Sequence, residues 1–197
     1  MPPKPKFTKE EIVKAALDIV SANGIEALTA RELGEKLGSS ARPIFTVFKN
    51  MEDLQNEVRA AAMRYFESFN ENVFSGMPLF KQIGMKMVLF GVQEPKLYQL
   101  LYMHENDEAA IFDDVFAILG ATADLCMDTI CKDYNLDIAD AKILFENMWI
   151  YTFGIGALCA TRVCRFSEER LSQMLTTEFT AMITLVKSGK LHEQQHQ

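Results

Sequence analysis

The sequence predicts an all-α protein in which a small N-terminal three-helix domain with a helix-turn-helix precedes a larger helical body. Apolar residues recur at helical spacing along most of the chain, capping residues open these segments, and a tight glycine turn joins two of the shortest. Apolar residues make up 49% of the 197 residues, which is ample for a hydrophobic core. We place the domain boundary between residues 1–50 and 51–197.

The first helix is predicted from about Thr8 to Ala22. Thr8 followed by Glu11 is a capping box, in which the hydroxyl accepts a free backbone N–H and the carboxylate binds back to the cap. Asn23-Gly24 ends the helix. One face of it is apolar and is expected to be buried, and consists of Ile12, Ala15, Ala16, Ile19 and Val20.

Residues 28–54 predict two short helices joined by a tight turn. Thr29 with Glu32 forms a second capping box, and Gly38 can adopt the left-handed conformation that ends a helix. One of the two following serines can cap the next helix. Helices this short are not stable alone, and in this arrangement they match a helix-turn-helix, whose second helix lies in the major groove of DNA.

The second helix of this motif is expected to contact DNA. Arg42 and Thr46 lie four residues apart on one face, and an arginine can bind guanine O6 and N7 together. Phe45 and Phe48 are expected to point toward the core of the head. The candidate DNA-binding residues are Thr29, Ser40, Ala41, Arg42, Pro43, Phe45, Thr46 and Lys49.

Several of these residues also have a purely structural interpretation. Thr29 can be a helix cap alone or a cap that also binds phosphate, and Arg42 can be a solvated surface arginine. Pro43 can fix the entry of the helix or also touch a thymine methyl group. Phe45 fits a core position better than a DNA contact.

The rest of the chain predicts further helices. Asn50 opens a long one that runs to about Phe74, and the last helix carries an apolar seam too long to leave in water. We expect this seam, which includes Leu171, to pair across a two-fold axis in a homodimer, with Leu175, Phe179 and Met182 at its centre. The other segments are predicted at 78–92, from 94, at 106–134, 137–163 and 167–189.

Charge and cysteines narrow the class of protein. The net charge is −7, but up to Lys49 eight basic residues outnumber six acids, which leaves −9 for the remainder. The longest apolar run has 13 residues, whereas a membrane helix needs about 20, and the N-terminus lacks a signal peptide, so we expect a cytoplasmic protein with no membrane partner.

The four cysteines lack metal-site spacing, and we expect neither metal nor cofactor. They are either small buried residues or redox sensors: Cys126, Cys131, Cys159 and Cys164.

The pattern over residues 8–54 resembles the TetR family of bacterial transcriptional regulators. Three positions depart from the family pattern: Phe45 replaces a Tyr, Val47 an aromatic residue or His, and Met51 a Lys, which removes groups that commonly touch phosphates. The resemblance is carried by Ala15-Ala16, Gly24, Leu28-Thr29, Leu33, Leu37-Gly38, Ser40, Ile44-Phe45, Phe48 and Leu54.

Residues 148–154 are similar, more weakly, to the WHG type of C-terminal domain, with Phe153 in place of its His. These resemblances imply a homodimer whose last two helices pair into a four-helix bundle. They also imply a pocket for a small hydrophobic effector inside each body. Aromatic residues, a few of which carry phenol or imidazole hydrogen-bonding groups, are the candidates for that pocket, although Trp149 and Phe153 fit a core or dimer seam equally well: Tyr98, Tyr102, His104, Phe112, Phe116, Trp149 and Phe153.

Two function classes follow from this sequence. The first is a DNA-binding transcriptional regulator, a repressor released from a palindromic operator of double-stranded DNA by the effector. The second is a helical protein that binds small molecules and carries a vestigial DNA-binding head. We expect no enzyme, since the sequence contains neither a phosphate loop nor a recognisable catalytic triad. A salt-dependent mobility shift with the upstream region of its own gene separates the two classes.

Overall fold

The structure is a computed structural model that describes residues 5–69, 76–103 and 119–189, so His104, Phe112 and Phe116 lie outside the described residues. All regular structure within these ranges is helical, which confirms the predicted fold class. Short 3₁₀ turns at Ile25–Ala27 and Ile44–Thr46 interrupt the α-helices. The helices are α1 (Lys9–Asn23), α2 (Ala30–Lys36), α3 (Met51–Ser68), α4 (Leu79–Gln93), α5 (Pro95–Tyr102), α6 (Ala121–Tyr134), α7 (Ile138–Ala160) and α8 (Glu168–Lys187).

Polar caps fix where these helices begin. At α1 the Thr8 hydroxyl accepts the Glu11 N–H at 3.2 Å, and the Glu11 carboxylate accepts the Thr8 N–H at 2.8 Å, which is the predicted capping box. In four other helices the side chain of the capping residue accepts one backbone N–H of the first turn. These capping residues are Thr29, Asn50, Asp137 and Ser167.

The chain divides into two compact units, residues 1–71 with 90–104 and residues 72–89 with 105–197. This division differs from the boundary predicted at residue 50. Helices α3 and α5 belong to the first unit because Val58 of α3 and Leu97 of α5 are buried there with α1. Helix α4 is continuous but shared, since residues 79–89 belong to the second unit and 90–93 to the first.

The second unit is built from the first part of α4 together with α6, α7 and α8. Helix α7 is long and apolar enough to cross a membrane by length and composition alone, but the core helix of a soluble protein passes the same test. Here α7 packs against both α6 and α8. The core of this unit contains Ala123, Cys126, Ile130, Ala141, Leu144, Phe145, Met148 and Val186.

Two predicted helices are not continuous over their predicted ranges. The helix opened by Asn50 ends at Ser68, because Phe69 is extended, rather than near Phe74. In the described part of the segment predicted at 106–134, Gly120, with a positive φ of 49°, interrupts the helix between Leu119 and Ala121, and the predicted start lies outside the described residues. Both breaks are backbone turns that apolar periodicity does not reveal.

Candidate nucleic-acid interface and ligand cavity

The turn after α2 depends on two glycines. Gly38 has φ 63°, the left-handed conformation expected of it. Gly34 is buried inside α2, and a Cβ atom there would lie 3.0 Å from the Ser39 carbonyl oxygen and 3.1 Å from the Ala41 nitrogen. The backbone therefore crosses α2 at Gly34 with no space for a side chain. Sequence analysis missed this role, although a glycine four residues before the turn glycine was visible.

The chain from residue 39 to 49, here called the recognition segment, is tighter than the predicted second α-helix. Its backbone N–H groups bond three residues back, from Ile44 to Ala41 at 3.1 Å and from Thr46 to Pro43 at 3.2 Å. Pro43 supplies no N–H, and short runs commonly tighten into 3₁₀ geometry. The regular helix expected here is therefore replaced by a 3₁₀ turn at Ile44–Thr46.

The two phenylalanines of the recognition segment have different environments. Phe48 is 3% exposed and closes the core of the head, as expected. Phe45 is 43% exposed, so its expected core position is wrong. Ile44, which is fully buried, fills that position because the tighter turn directs it inward. Phe45 is consequently free to meet a partner of this surface.

The candidate DNA-binding side chains lie mostly on the exterior. Thr29, Ser40, Arg42, Thr46 and Lys49 are exposed, whereas Ala41 and Pro43 are half-buried. The Thr29 hydroxyl accepts the Glu32 N–H at 3.1 Å, which leaves its proton available for a phosphate oxygen. The Thr46 hydroxyl instead donates to the Pro43 carbonyl at 2.6 Å, so toward DNA it can only accept.

This surface is locally basic on an acidic protein. Residues 36–51 contain Lys36, Arg42 and Lys49 and no acidic residue. Lys36 pairs with Asp18 at 3.8 Å, but Arg42 and Lys49 have no ion-pair partner among residues 5–69, 76–103 and 119–189. Two cations without an ion-pair partner on one exposed segment are suited to DNA phosphates, which dominate affinity for nucleic acid.

A cavity of about 380 Å³ lies in the second unit. Its walls come from α4, α6, α7 and α8, and most of the lining side chains are apolar. The volume falls in the range of small-molecule sites, which are concave and mostly apolar with a few polar groups. The lining residues are Pro78, Phe80, Lys81, Ile83, Gly84, Met87, Cys126, Tyr134, Phe145, Met148, Trp149, Thr152, Leu175, Thr176 and Phe179.

Of the aromatic residues predicted to share one pocket, Trp149 alone lines this cavity among those the structure describes. Phe153 stacks on Trp149, with ring centroids 5.2 Å apart and planes 19° apart, but does not reach the lining. Tyr98 and Tyr102 belong to the first unit, where Tyr102 packs edge-on against Phe66 at 5.7 Å. Burial raises the pKa of Tyr102 above its ordinary value. The predicted grouping is thus corrected.

The residues expected at the centre of a dimer seam face inward. Leu171 is fully buried within its own chain, and Leu175 and Phe179 line the cavity. The Phe179 ring packs 4.8 Å from that of Tyr134, and Met182 packs against the core. Leu171 and Leu175 are therefore buried within their own chain, whereas Phe179 and Met182 are half-buried, and the predicted seam stays a prediction.

The cysteines are all free thiols, and Cys126 and Cys159 are buried. Burial raises the pKa of the Cys126 thiol to about 12, and it also raises the pKa of Cys159, with a smaller contribution from Cys164. Thiols of this kind stay protonated and unreactive at neutral pH. Within the described residues, no cluster of three potential metal ligands occurs.

The fold and the exposed basic turn define a helical DNA-binding protein with a helix-turn-helix. The family model described as "Bacterial regulatory proteins, tetR family" matches residues 12–58, the helix-turn-helix region of the first unit. This match supports a DNA-binding transcriptional regulator. A structure described as a TetR-family transcriptional regulator from Vibrio parahaemolyticus is similar in fold, with a TM-score of 0.56 and 16% identity over 88% of this chain and 97% of that one. No curated protein matches the sequence.

Proposed function

We propose that the protein is a homodimeric, cytoplasmic repressor that binds a palindromic operator and is released from it by a small apolar effector. The observation that carries the proposal is the apolar cavity in the second unit of a chain whose first unit carries the helix-turn-helix. Regulation by a ligand needs both sites in one molecule and a coupling between them. The protein acts by binding, not by catalysis.

The DNA contacts follow from which side chains remain available. Arg42 binds a guanine edge or a phosphate, and Lys49 and the Thr29 hydroxyl bind phosphates. Phe45, exposed on the same segment, contacts the sugar or a thymine methyl group. Two heads related by two-fold symmetry would meet half-sites about 34 Å apart, or a multiple of this distance.

The dimer face is better assigned to the outer side of α7 and α8 than to the buried seam. Ile150, Gly154 and Leu158 recur every four residues along α7, and Ile150 is 53% exposed. Ala181 and Leu185 form a matching exposed pair on α8. Small residues between larger apolar ones let helices of a second copy approach closely, and pairing removes this apolar surface from water.

Helix α4 offers a direct connection between ligand and DNA binding. It contributes Phe80, Ile83 and Met87 to the cavity wall, and its last residues belong to the first unit. Glu94, directly after it, accepts hydrogen bonds from Ser21 of α1 at 2.9 Å and from Tyr65 of α3 at 3.0 Å. A ligand that shifts α4 would thereby bias the position of the helices that carry the recognition segment.

A mobility shift with a duplex from upstream of the protein's own gene tests this proposal. The wild-type protein should bind with an affinity that falls steeply with salt, and an inverted repeat should define the protected site. Arg42→Ala should weaken binding, whereas Arg162→Ala, far along the chain in the second unit, should not. Equal binding by the two variants would contradict the assigned interface.

A further inference from the structure

We propose that the cavity takes a monoanionic amphiphile, an alkyl carboxylate, whose head group binds Lys81. This inference rests on the proposed ligand-binding function and names the chemical class of the ligand. Polar groups are few and unevenly distributed around the cavity, whose lining is mostly carbon.

Lys81 is the single charged side chain among the described lining residues, and no carboxylate lies among them. Its Nζ donates a hydrogen bond to the Thr176 hydroxyl at 2.8 Å, which places the ammonium group at the cavity wall. The Thr176 hydroxyl in turn donates to the Ser172 carbonyl at 2.7 Å. The ammonium is therefore positioned by a neutral group, and within the described chain no ion pair neutralises it.

An ammonium group has three donors, and the Thr176 bond uses one of them. A ligand carboxylate can accept the others, and charge-assisted bonds of this kind are shorter and stronger than neutral ones. The remaining wall offers Phe80, Met87 and Leu175, which match a hydrocarbon tail and leave a second ligand charge without a partner. One cation beside an apolar space thus selects one anionic group with an apolar chain, and rejects cations and dianions.

Trp149 provides a specific signal for the test, because it is the single tryptophan of the chain and lines the cavity. Its fluorescence is titrated with decanoate and with decanol, both below their aggregation concentrations, in the DNA-free wild-type protein and in Lys81→Met. The methionine keeps the unbranched shape of the side chain, one atom shorter, but removes the charge. Lys132→Met, an exposed lysine on α6 outside the lining, is the matched control.

Both ligands should change the Trp149 emission saturably in the wild type. Lys81→Met should weaken decanoate about tenfold, the factor that corresponds to about 1.4 kcal/mol, and leave decanol unchanged. Lys132→Met should alter neither affinity. Gly84→Leu, whose side chain would enter the cavity near Leu175, should abolish both titrations while its helical circular dichroism persists.

Equal losses for decanoate and decanol in Lys81→Met, or an unchanged decanoate affinity, would overturn the assignment of Lys81. Absence of any Trp149 response to decanoate in the folded wild type would overturn the ligand class. The mobility shift is measured separately on ligand-free protein. If the protein binds the operator but not decanoate, the proposed regulator stands and the assignment of the ligand class is wrong. If it binds decanoate but decanoate never releases DNA, the ligand class stands and the proposed regulation is wrong.

Discussion

Replacing Gly34 by alanine tests the geometry of the helix-turn-helix at its closest point. The new Cβ would lie 3.0 Å from the Ser39 carbonyl oxygen and 3.1 Å from both the Ala41 nitrogen and the Ser40 carbonyl carbon. All three neighbours are backbone atoms, so the recognition segment itself must move. Overpacking of this kind costs about 1–3 kcal/mol.

The helix propensity of alanine offsets part of this cost by about 1 kcal/mol. Gly84→Ala is the matched control, because its Cβ would make an ordinary contact of 3.5 Å with the Leu175 side chain and gain the same propensity. The free energies of unfolding of Gly34→Ala and Gly84→Ala should therefore differ from each other by about 1–3 kcal/mol, which is the overpacking cost alone.

Native-state hydrogen exchange resolves the two effects, because amides of α1 to α3 report the first unit and those of α7 report the second. Gly34→Ala should lower protection in the first unit and weaken operator binding. Gly84→Ala should preserve both. Full protection of α1 to α3 in Gly34→Ala, with wild-type DNA affinity, would refute the inferred close packing.

Three further experiments with substituted proteins separate the roles assigned above. Arg42→Ala should leave the melting temperature unchanged and weaken operator binding, whether Arg42 contacts a guanine edge or a phosphate, so an unaltered operator affinity in an anisotropy titration would count against it. Phe48→Ala should destabilise the head by about 3–5 kcal/mol. Phe45→Ala should instead leave the hydrogen exchange of the head intact and weaken DNA binding. Similar behaviour of the two variants would contradict the different burial of the two side chains. Ile150→Glu should yield monomers in light scattering, while Ile138→Glu, a likewise exposed position about 120° away around the same helix, should remain dimeric. A dimeric Ile150→Glu would place the interface elsewhere.

Local signals in the sequence were sufficient for the head. The Thr8 and Thr29 caps, the turn at Gly38 and the buried Phe48 depend on interactions within a few residues, which a pattern records directly. The exposure of Phe45 could not be read in the same way. It depends on whether residues 39–49 form an α-helix or a 3₁₀ turn, and this changes the direction of each side chain.

Long-range packing explains the errors in the body. An apolar seam on α8 fits an internal face and a subunit interface equally well, and the burial of Leu171 and Leu175 shows that theirs is internal. Tyr98 and Trp149 likewise belong to different units, although both are aromatic residues with a polar atom. Periodicity shows that a face is buried but does not identify the partner that buries it.

Coupling between the cavity and the recognition segment is tested most directly by the reciprocal effects of ligand and DNA on each other's affinity. Fluorescence anisotropy of a labelled operator is measured with and without a saturating cavity ligand, and Trp149 fluorescence measures ligand affinity with and without the operator. Ligand should weaken DNA binding, and DNA should weaken ligand binding by the same factor. In Gly84→Leu, whose cavity is filled, addition of the ligand should leave the DNA affinity unchanged. Unchanged operator affinity at full occupancy of the wild-type cavity would contradict the coupling.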